Sequence, residues 1–313
     1  MSENKPKVSV LIPAYNAQDF ISRTLQSVLK QRYADFEVII LDDGSTDKTA
    51  EIVKQIARED KRIRYYFQEN RGLANTRNRL AELADAEYIA FLDHDDEWLP
   101  QKLSLQVDFF EKNPDFGLLY SDTYIKKDGR IIGRAFEERK PVRGNVFYEL
   151  LFENFVPLDT VFMPKRVLLE FIPFNPEYDF SEEFDIFLRV SKKYKFAYLN
   201  EVLAVHYRHN KNLSDSRLDK FIQEEFSILN HWLKQEPDIG IKYRRRLDKR
   251  MALLYAQKAL YLIRNFRFSD AKEEIRVSLK YRPFNFAALK LSGQLFFKRH
   301  SLPGSHDQDS LCA

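Results

Sequence analysis

Asp93, Asp95 and Asp96, with His94 among them, follow directly on the apolar run Tyr88-Ile89-Ala90-Phe91-Leu92. Carboxylates alternating along an extended segment can bring two oxygens to one hard cation, and Mg²⁺ or Mn²⁺ takes such ligands and bridges phosphate groups. Acids ahead of a helix also stabilise its first turn with no ligand involved, and for this cluster alone the two accounts weigh the same. Asp42-Asp43-Gly44-Ser45-Thr46-Asp47 is a second polar cluster. An Asp at a strand end can accept hydrogen bonds from a nucleobase or ribose, although an Asx turn with a helix cap explains the segment by itself. In Pro13-Ala14-Tyr15-Asn16, a Tyr in a strand-end loop can stack on a base and an Asn can bond its edge. The segment from Asn70 to Asn78 sets Gly72, Arg71 and Arg77 at a helix start, where anions bind. Further on, Glu182, Glu183 and Asp185 crowd another helix start, and His206-Tyr207-Arg208-His209 closes an apolar stretch.

The elements that must position these residues follow from the hydrophobic period. Val8 to Ile12 reads as a buried strand ended by Pro13, and Phe36 to Leu41, Arg62 to Phe67 and Tyr88 to Leu92 read as three more. Helices are expected over 17–31, 46–59 (capped by Ser45 or Thr46) and 72–85. This alternation implies a parallel sheet with helices on both faces. Ligands of such sheets bind outside the carboxyl ends of the strands, so the clusters at 13–16, 42–47 and 93–96 are expected to meet on one sheet edge. A hairpin is expected over 117–135 with Asp128-Gly129 at its turn. Residues 136–180, rich in Phe and Pro, carry no clear period, and a helix is expected over 183–194. From 216 onward the pattern is helical, with a break at Pro283, and 251–299 looks like a tetratricopeptide-type helix pair. The polar tail 301–313 is expected to be disordered.

Taken in order, each behind its strand, Pro-Ala-Tyr-Asn, Asp-Asp-Gly-Ser-Thr-Asp, Asn-Arg-Gly with the later Arg-Asn, and Phe-Leu-Asp-His-Asp-Asp resemble the family 2 glycosyltransferases of the GT-A fold, over roughly residues 6–215. The resemblance implies an α/β domain of GT-A type over 1–215, a mostly parallel twisted sheet flanked by helices, with a basic C-terminal helical extension over 216–300. It implies an inverting transfer of a sugar from a nucleotide-diphospho-sugar, a UDP-sugar first, to a hydroxyl of a glycan or lipid-linked acceptor, in cell-surface polysaccharide or glycoconjugate synthesis. By the same resemblance Pro13, Tyr15, Asn16, Asp43, Arg77, Asn78 and Asp93 form the nucleotide site, with Tyr15 stacking on the base and Asp43 reading it. Asp95, with Asp93 and His209, is expected to hold Mg²⁺ or Mn²⁺, and Glu183 stands where the family carries its catalytic base. The family pair there is Glu-Asp. This chain has Glu182-Glu183, one methylene longer, so Glu182 and Asp185 compete for the role, as His206 competes with His209.

Composition narrows the partners. The one cysteine, Cys312, excludes a disulfide framework and a Cys-based zinc site within one chain. The polar N-terminus carries no apolar signal region, and no run of about 18 apolar residues occurs, so the expected setting is cytoplasmic. The net charge of +3 conceals an asymmetry: residues 241–300 hold 16 Lys/Arg against 4 Asp/Glu. Arg244-Arg245-Arg246, Lys249 and Arg250, with Leu291, Leu295, Phe296 and Phe297 beside Lys290, Lys298 and Arg299, suit an anionic membrane surface at the cytoplasmic face. A solvated face of a helical bundle is the plainer account of the same charge. Nucleic acid is not expected, because no recognition motif accompanies the charge. Nucleotidyltransferases open with a Gly-rich basic loop after the first strand, which Pro13 to Asn16 lacks. The remaining rival is a non-catalytic GT-A-like module that binds a glycan or a partner, and the intact Asp93, Asp95 and Glu183 count against it.

Overall fold

The computed structural model describes residues 5–209 and 217–292. The chain divides into two compact units, 1–212 and 213–313.

The first unit opens with strict alternation: β1 (Val8–Ala14), α1 (Ile21–Leu29), β2 (Phe36–Asp43), α2 (Thr49–Glu59), β3 (Ile63–Gln68), α3 (Leu73–Leu83) and β4 (Tyr88–Phe91). It continues with β5 (Glu97–Trp98), α4 (Lys102–Lys112), β6 (Phe116–Lys127), β7 (Arg130–Arg134), α5 (Phe147–Phe152), a 3-10 turn (Leu158–Thr160), β8 (Phe162–Pro164), α6 (Lys165–Phe171), α7 (Glu182–Lys193) and β9 (Lys195–Arg208). Among the described residues these strands form one sheet in the order β3-β2-β1-β4-β8-β6-β9-β5, with β7 hairpinned onto β6. The first four pair in parallel, as βαβ units demand. Beyond β4 the sheet is mixed: β8 runs antiparallel to both β4 and β6, and β9 runs parallel to β6. Three-residue β8 lies in the stretch whose pattern was unreadable, because a strand that short has no period to detect.

Val8, Val10 and Ile12 of β1 and Val38 and Ile40 of β2 join Ile21, Leu25 and Val28 of α1 and Val53 of α2 in one buried core. Helix α3 packs against β1 and β2. Strand β1 does not stop at Pro13 as expected; it runs to Ala14. The Leu92 N–H donates to Leu11 O, which turns the backbone of residue 11, and so of residue 13, toward β4. The β1–β4 pairing ends at Leu11, so the missing Pro13 N–H costs the ladder nothing.

In the second unit, α8 (Leu218–Gln235), α9 (Asp238–Lys242), α10 (Arg244–Arg264) and α11 (Phe268–Tyr281) are followed by helical residues from 286 on. Ala256, Ala259, Leu262 and Ile263 of α10 meet Ala271 and Ile275 of α11, with Ala288 and Leu291 from the next helix. Arg250, expected on an exposed basic patch, is instead buried and paired with Glu225, and Leu291, expected on a membrane-facing end, belongs to this core. Leu295, Phe296, Phe297, Lys298 and Arg299, and the tail 301–313, lie outside the described residues. No helix among the described residues is long and apolar enough to cross a membrane.

Candidate active site

The loops after β1 and β2 are laced together. The Asn16 N–H donates to Ser45 Oγ at 2.9 Å, the Thr46 N–H to Asn16 Oδ1 at 2.9 Å, and the Ala17 N–H to Thr49 Oγ1 at 2.7 Å. Asn16 sits at φ 47°, a conformation its short polar side chain tolerates. Ser45 and Thr46 are thereby spent on the neighbouring loop. Asp47 instead braces the entry to α2, its Oδ1 accepting from the N–H of Thr49, the first helical residue, at 2.9 Å. Asp42 is buried and accepts from the Ser45 N–H and the Tyr65 hydroxyl. The adjacent Asp43 accepts from Gln68 Nε2 at 2.7 Å and from the N–H groups of Arg71 (2.9 Å) and Gly72 (3.0 Å). A carboxylate has about four acceptor positions, so one is left on Asp43 for an incoming donor. Tyr15, 47 % exposed, presents a ring beside this loop pair.

Gly44 holds the turn between these two acids and Ser45. It takes φ +82°, and a Cβ there would stand 2.8 Å from the Asn70 backbone nitrogen. Gly44→Ala is therefore expected to cost about 1–3 kcal/mol, read as a lowered thermal midpoint. An unchanged midpoint would mean that the turn shifts aside at no cost.

The acidic loop after β4 is held from α1. Thr24 Oγ1 lies 2.8 Å from both the His94 and Asp96 carbonyls, and Arg23 donates to the Asp95 carbonyl at 2.7 Å while lying 3.6 Å over the Tyr207 ring. His94 Nδ1 donates to Pro13 O at 3.3 Å, closing the edge between β1 and β4. The three acids then diverge in role. Asp96 is buried; it accepts from the Tyr207 N–H at 2.8 Å and faces His206 Nδ1 at 3.0 Å. Burial alone would lower the His206 proton affinity, but the charges of Asp96, Asp159 and Asp95 drive it up to about 10. Burial in turn raises the proton affinity of Asp96, which His206 opposes, so the two titrate together as a pair. The rival histidine, His209, points Nε2 at Asp95 Oδ2, 2.9 Å away, with its ring stacked on Phe20 at 4.4 Å.

Asp93 turns the other way, onto Arg77. That guanidinium donates to Asp93 Oδ1 at 2.9 Å and to Glu182 Oε1, and Glu183 Oε2 lies 3.7 Å from it. Arg77 was expected to line the nucleotide site. It is only 2 % exposed, and its hydrogen bonds go to carboxylates, so it supports the site from beneath. Burial by itself would lower its proton affinity, and the surrounding Glu182, Asp93 and Glu183 more than reverse that. Asn78 likewise faces inward: its amide donates to Phe174 O and accepts from the Phe174 N–H, clamping that loop.

The three acids at the start of α7 separate by their surroundings. Glu182 is fully buried on Arg77. Asp185 bridges Arg189 on its own helix at 2.8 Å. Glu183 keeps 19 % of its side chain exposed. Burial raises its proton affinity, Arg77 opposes that, and Asp93 adds to the rise.

Several supporting residues carried no signal in the sequence. Phe20, Arg23 and Thr24 read only as an amphipathic helix face. Asp159 lay in the unreadable stretch; it accepts from the Thr123 hydroxyl at 2.9 Å, and its carbonyl accepts from Trp98 Nε1 at 2.7 Å. Lys102, fully buried, donates to Gln106 Oε1 at 2.7 Å and lies 4.1 Å over the Trp98 ring; burial lowers it to about 7.

Among the described residues no cluster of three or more His, Cys, Asp or Glu forms an all-protein cation cage. Mg²⁺-type ions do not need one, since they take one or two carboxylates and fill the remaining positions with water and phosphate oxygens. The Asp95 carboxylate fits that half-open donor set; His209 Nε2 donates to it at 2.9 Å and would join as a ligand only by giving up that proton.

The family model "Glycosyl transferase family 2" matches residues 9–168, about half of the chain. The chain is 29 % identical to a chondroitin synthase of Escherichia coli over 238 residues, 76 % of this chain and 34 % of that protein. It is 47 % identical over 110 residues, 35 % of this chain and 44 % of the other, to a putative teichuronic acid biosynthesis glycosyltransferase of Bacillus subtilis. It is 30 % identical over 235 residues to an uncharacterized glycosyltransferase of Methanocaldococcus jannaschii, 73 % of this chain and 80 % of that one. The chain spans about a third of the length of the chondroitin synthases it matches. In fold it is similar to S. aureus TarS 1–349 in complex with UDP-GlcNAc, with a TM-score of 0.59 at 18 % identity over 88 % of this chain and 92 % of that one. A mannosyltransferase of Pyrobaculum calidifontis, solved with GDP-Man and Mn²⁺, gives 0.55 at 16 % over 94 % and 88 %. With the family model covering residues 9–168, from β1 through β8, the chain belongs to glycosyltransferase family 2 and has its GT-A fold.

Proposed function

We propose that this enzyme transfers a sugar from a nucleotide-diphospho-sugar, a UDP-sugar, to a hydroxyl of a glycan or lipid-linked acceptor in polysaccharide or glycoconjugate synthesis, with inversion at the anomeric carbon. One observation carries the reading. Asp93 and Glu183, 90 residues apart in sequence, converge on the single guanidinium of Arg77. In this reading one carboxylate serves as base for the attacking hydroxyl, and the acidic loop after β4 faces the leaving diphosphate through a cation. The names of the relatives support it, since a fold neighbour holds UDP-GlcNAc and sequence relatives are chondroitin synthases.

In this mechanism Tyr15 stacks on the base, and Asp43 accepts from it with its remaining lone pair. Glu183 takes the proton of the acceptor hydroxyl as that oxygen bonds to the anomeric carbon. The bond from that carbon to the diphosphate oxygen breaks, and its electron pair leaves with the diphosphate. A single displacement turns an α-linked donor into a β-linked product. Asp95 and His209 would hold a Mg²⁺ or Mn²⁺ ion, which would supply charge neutralisation for the leaving diphosphate, while Asp93 stays on Arg77. Arg77 keeps Asp93 and Glu183 in register throughout. The setting is the cytoplasmic face of a membrane, reached through the basic second unit.

The test is thermal unfolding with UDP, GDP or dTDP, each with and without Mn²⁺, on the wild type and Asp95→Ala. Ligand at about 100 times its dissociation constant adds about 2.7 kcal/mol, which moves the midpoint of a domain this size by about 2–4 °C per kcal/mol. The expected result is a Mn²⁺-dependent rise with UDP that Asp95→Ala abolishes. No rise with any nucleotide overturns the donor-site reading.

A further inference from the structure

The turn after α11 presents bare aromatic rings. Phe284 is 79 % exposed and Phe286 82 %, and Leu289, one helical turn on, is 43 % exposed. They are not core residues left unpacked. The same segment has already committed its other face, because Ala288 and Leu291 are buried against α10 and α11. Nor is the turn loosely attached. Asn285 Nδ2 donates to Ala252 O at 3.0 Å and to Ser278 Oγ at 2.9 Å, and Asn285 Oδ1 accepts from the Ala287 N–H. The clamp on Asn285 fixes the backbone between the two phenylalanines and directs both rings outward.

The charge around this turn has one sign. Residues 241–292 contain 14 Lys/Arg and four acids, Asp248, Asp270, Glu273 and Glu274. Each of the four is already bridged, to Arg244, Arg267, Arg276 and Lys258. Lys280, Arg282 and Lys290, which flank the exposed rings in sequence, are exposed and have no acidic partner among the described residues. Unpaired cations beside phenylalanines, which have no polar atom to satisfy, match a surface that is anionic at its face and apolar just beneath. A soluble polyanion offers the charge without the apolar layer.

We infer that the Phe284–Leu289 turn is a docking surface for an anionic lipid bilayer, with Phe284, Phe286 and Leu289 entering the acyl boundary and Lys280, Arg282 and Lys290 meeting the headgroups. This names the contact residues of the membrane setting proposed above and is independent of the donor site. The experiment is co-sedimentation of the full chain with phosphatidylcholine vesicles, with and without phosphatidylglycerol, comparing the wild type with a Phe284→Ser/Phe286→Ser double variant. The wild type is expected to sediment only with the anionic vesicles, less so as salt is raised. The variant is expected to bind at least about tenfold more weakly while keeping the wild-type midpoint and its nucleotide-induced rise. Those two controls distinguish failure of this surface from failure of the glycosyltransferase reading. A variant that sediments like the wild type, or a wild type that ignores anionic vesicles, overturns the inference.

Discussion

Glu183→Gln is expected to lower turnover by about 10²–10⁴-fold, the usual worth of a positioned general base, with little change in donor affinity. The amide keeps the size of the side chain and its place near Arg77 but cannot take a proton. In the proposed mechanism donor affinity is set at Tyr15, Asp43 and Asp95, which Glu183 does not touch in the contacts described. The pH dependence carries a sign. A base works only when deprotonated, and burial, opposed by Arg77, holds Glu183 above the ordinary glutamate value of about 4.3. Activity is therefore expected to fall as pH drops through a value above that range, and this acid limb should vanish from what activity remains in Glu183→Gln. Glu183→Asp, which restores the residue type usual in the family, should retain far more turnover than the amide. Steady-state kinetics across pH on the three proteins is the check. If Glu183→Gln keeps full turnover while Asp185→Asn loses it, the base is Asp185.

Arg77→Met is expected to destabilise the first unit by about 3–5 kcal/mol, the cost of leaving a buried charge without its partner. Glu182 is fully buried and has Arg77 as its cation, and the side chain of Arg77 is 2 % exposed. The midpoint should fall on the order of 10 °C for a unit of this size. Arg77→Lys should recover only part of this, because an ammonium cannot present the fork that reaches Glu182 and Asp93 together. Glu182→Gln in the Arg77→Met background removes the orphaned charge and should restore a good share of the stability. It should not restore turnover, since Asp93 and Glu183 would still lack their common tether. A double variant that regains both would reduce Arg77 to a structural ion pair.

The sequence by itself determined the alternation of strands and helices through Phe91, the hairpin turn at Asp128-Gly129 and the meeting of three polar clusters at one sheet edge. These features rest on local period and on a topological rule that needs no knowledge of partners. The resemblance of its ordered motifs to the family also named Asp43, Asp95, Glu183 and His209 as residues to watch. Only the tertiary structure decided that Glu182, and not its neighbour Glu183, is sealed by Arg77 from another helix, while Asp185 pairs with Arg189 one turn along its own helix. Only the fold could turn Arg77 and Asn78 inward, or separate His206 on Asp96 from His209 on Asp95. The same holds for the second unit, where Arg250 and Leu291 look exposed in a helical pattern until Glu225 and α10 cover them. Burial and pairing are properties of side chains brought together from distant parts of the chain, and a one-dimensional period carries only the half of each contact that lies on its own element.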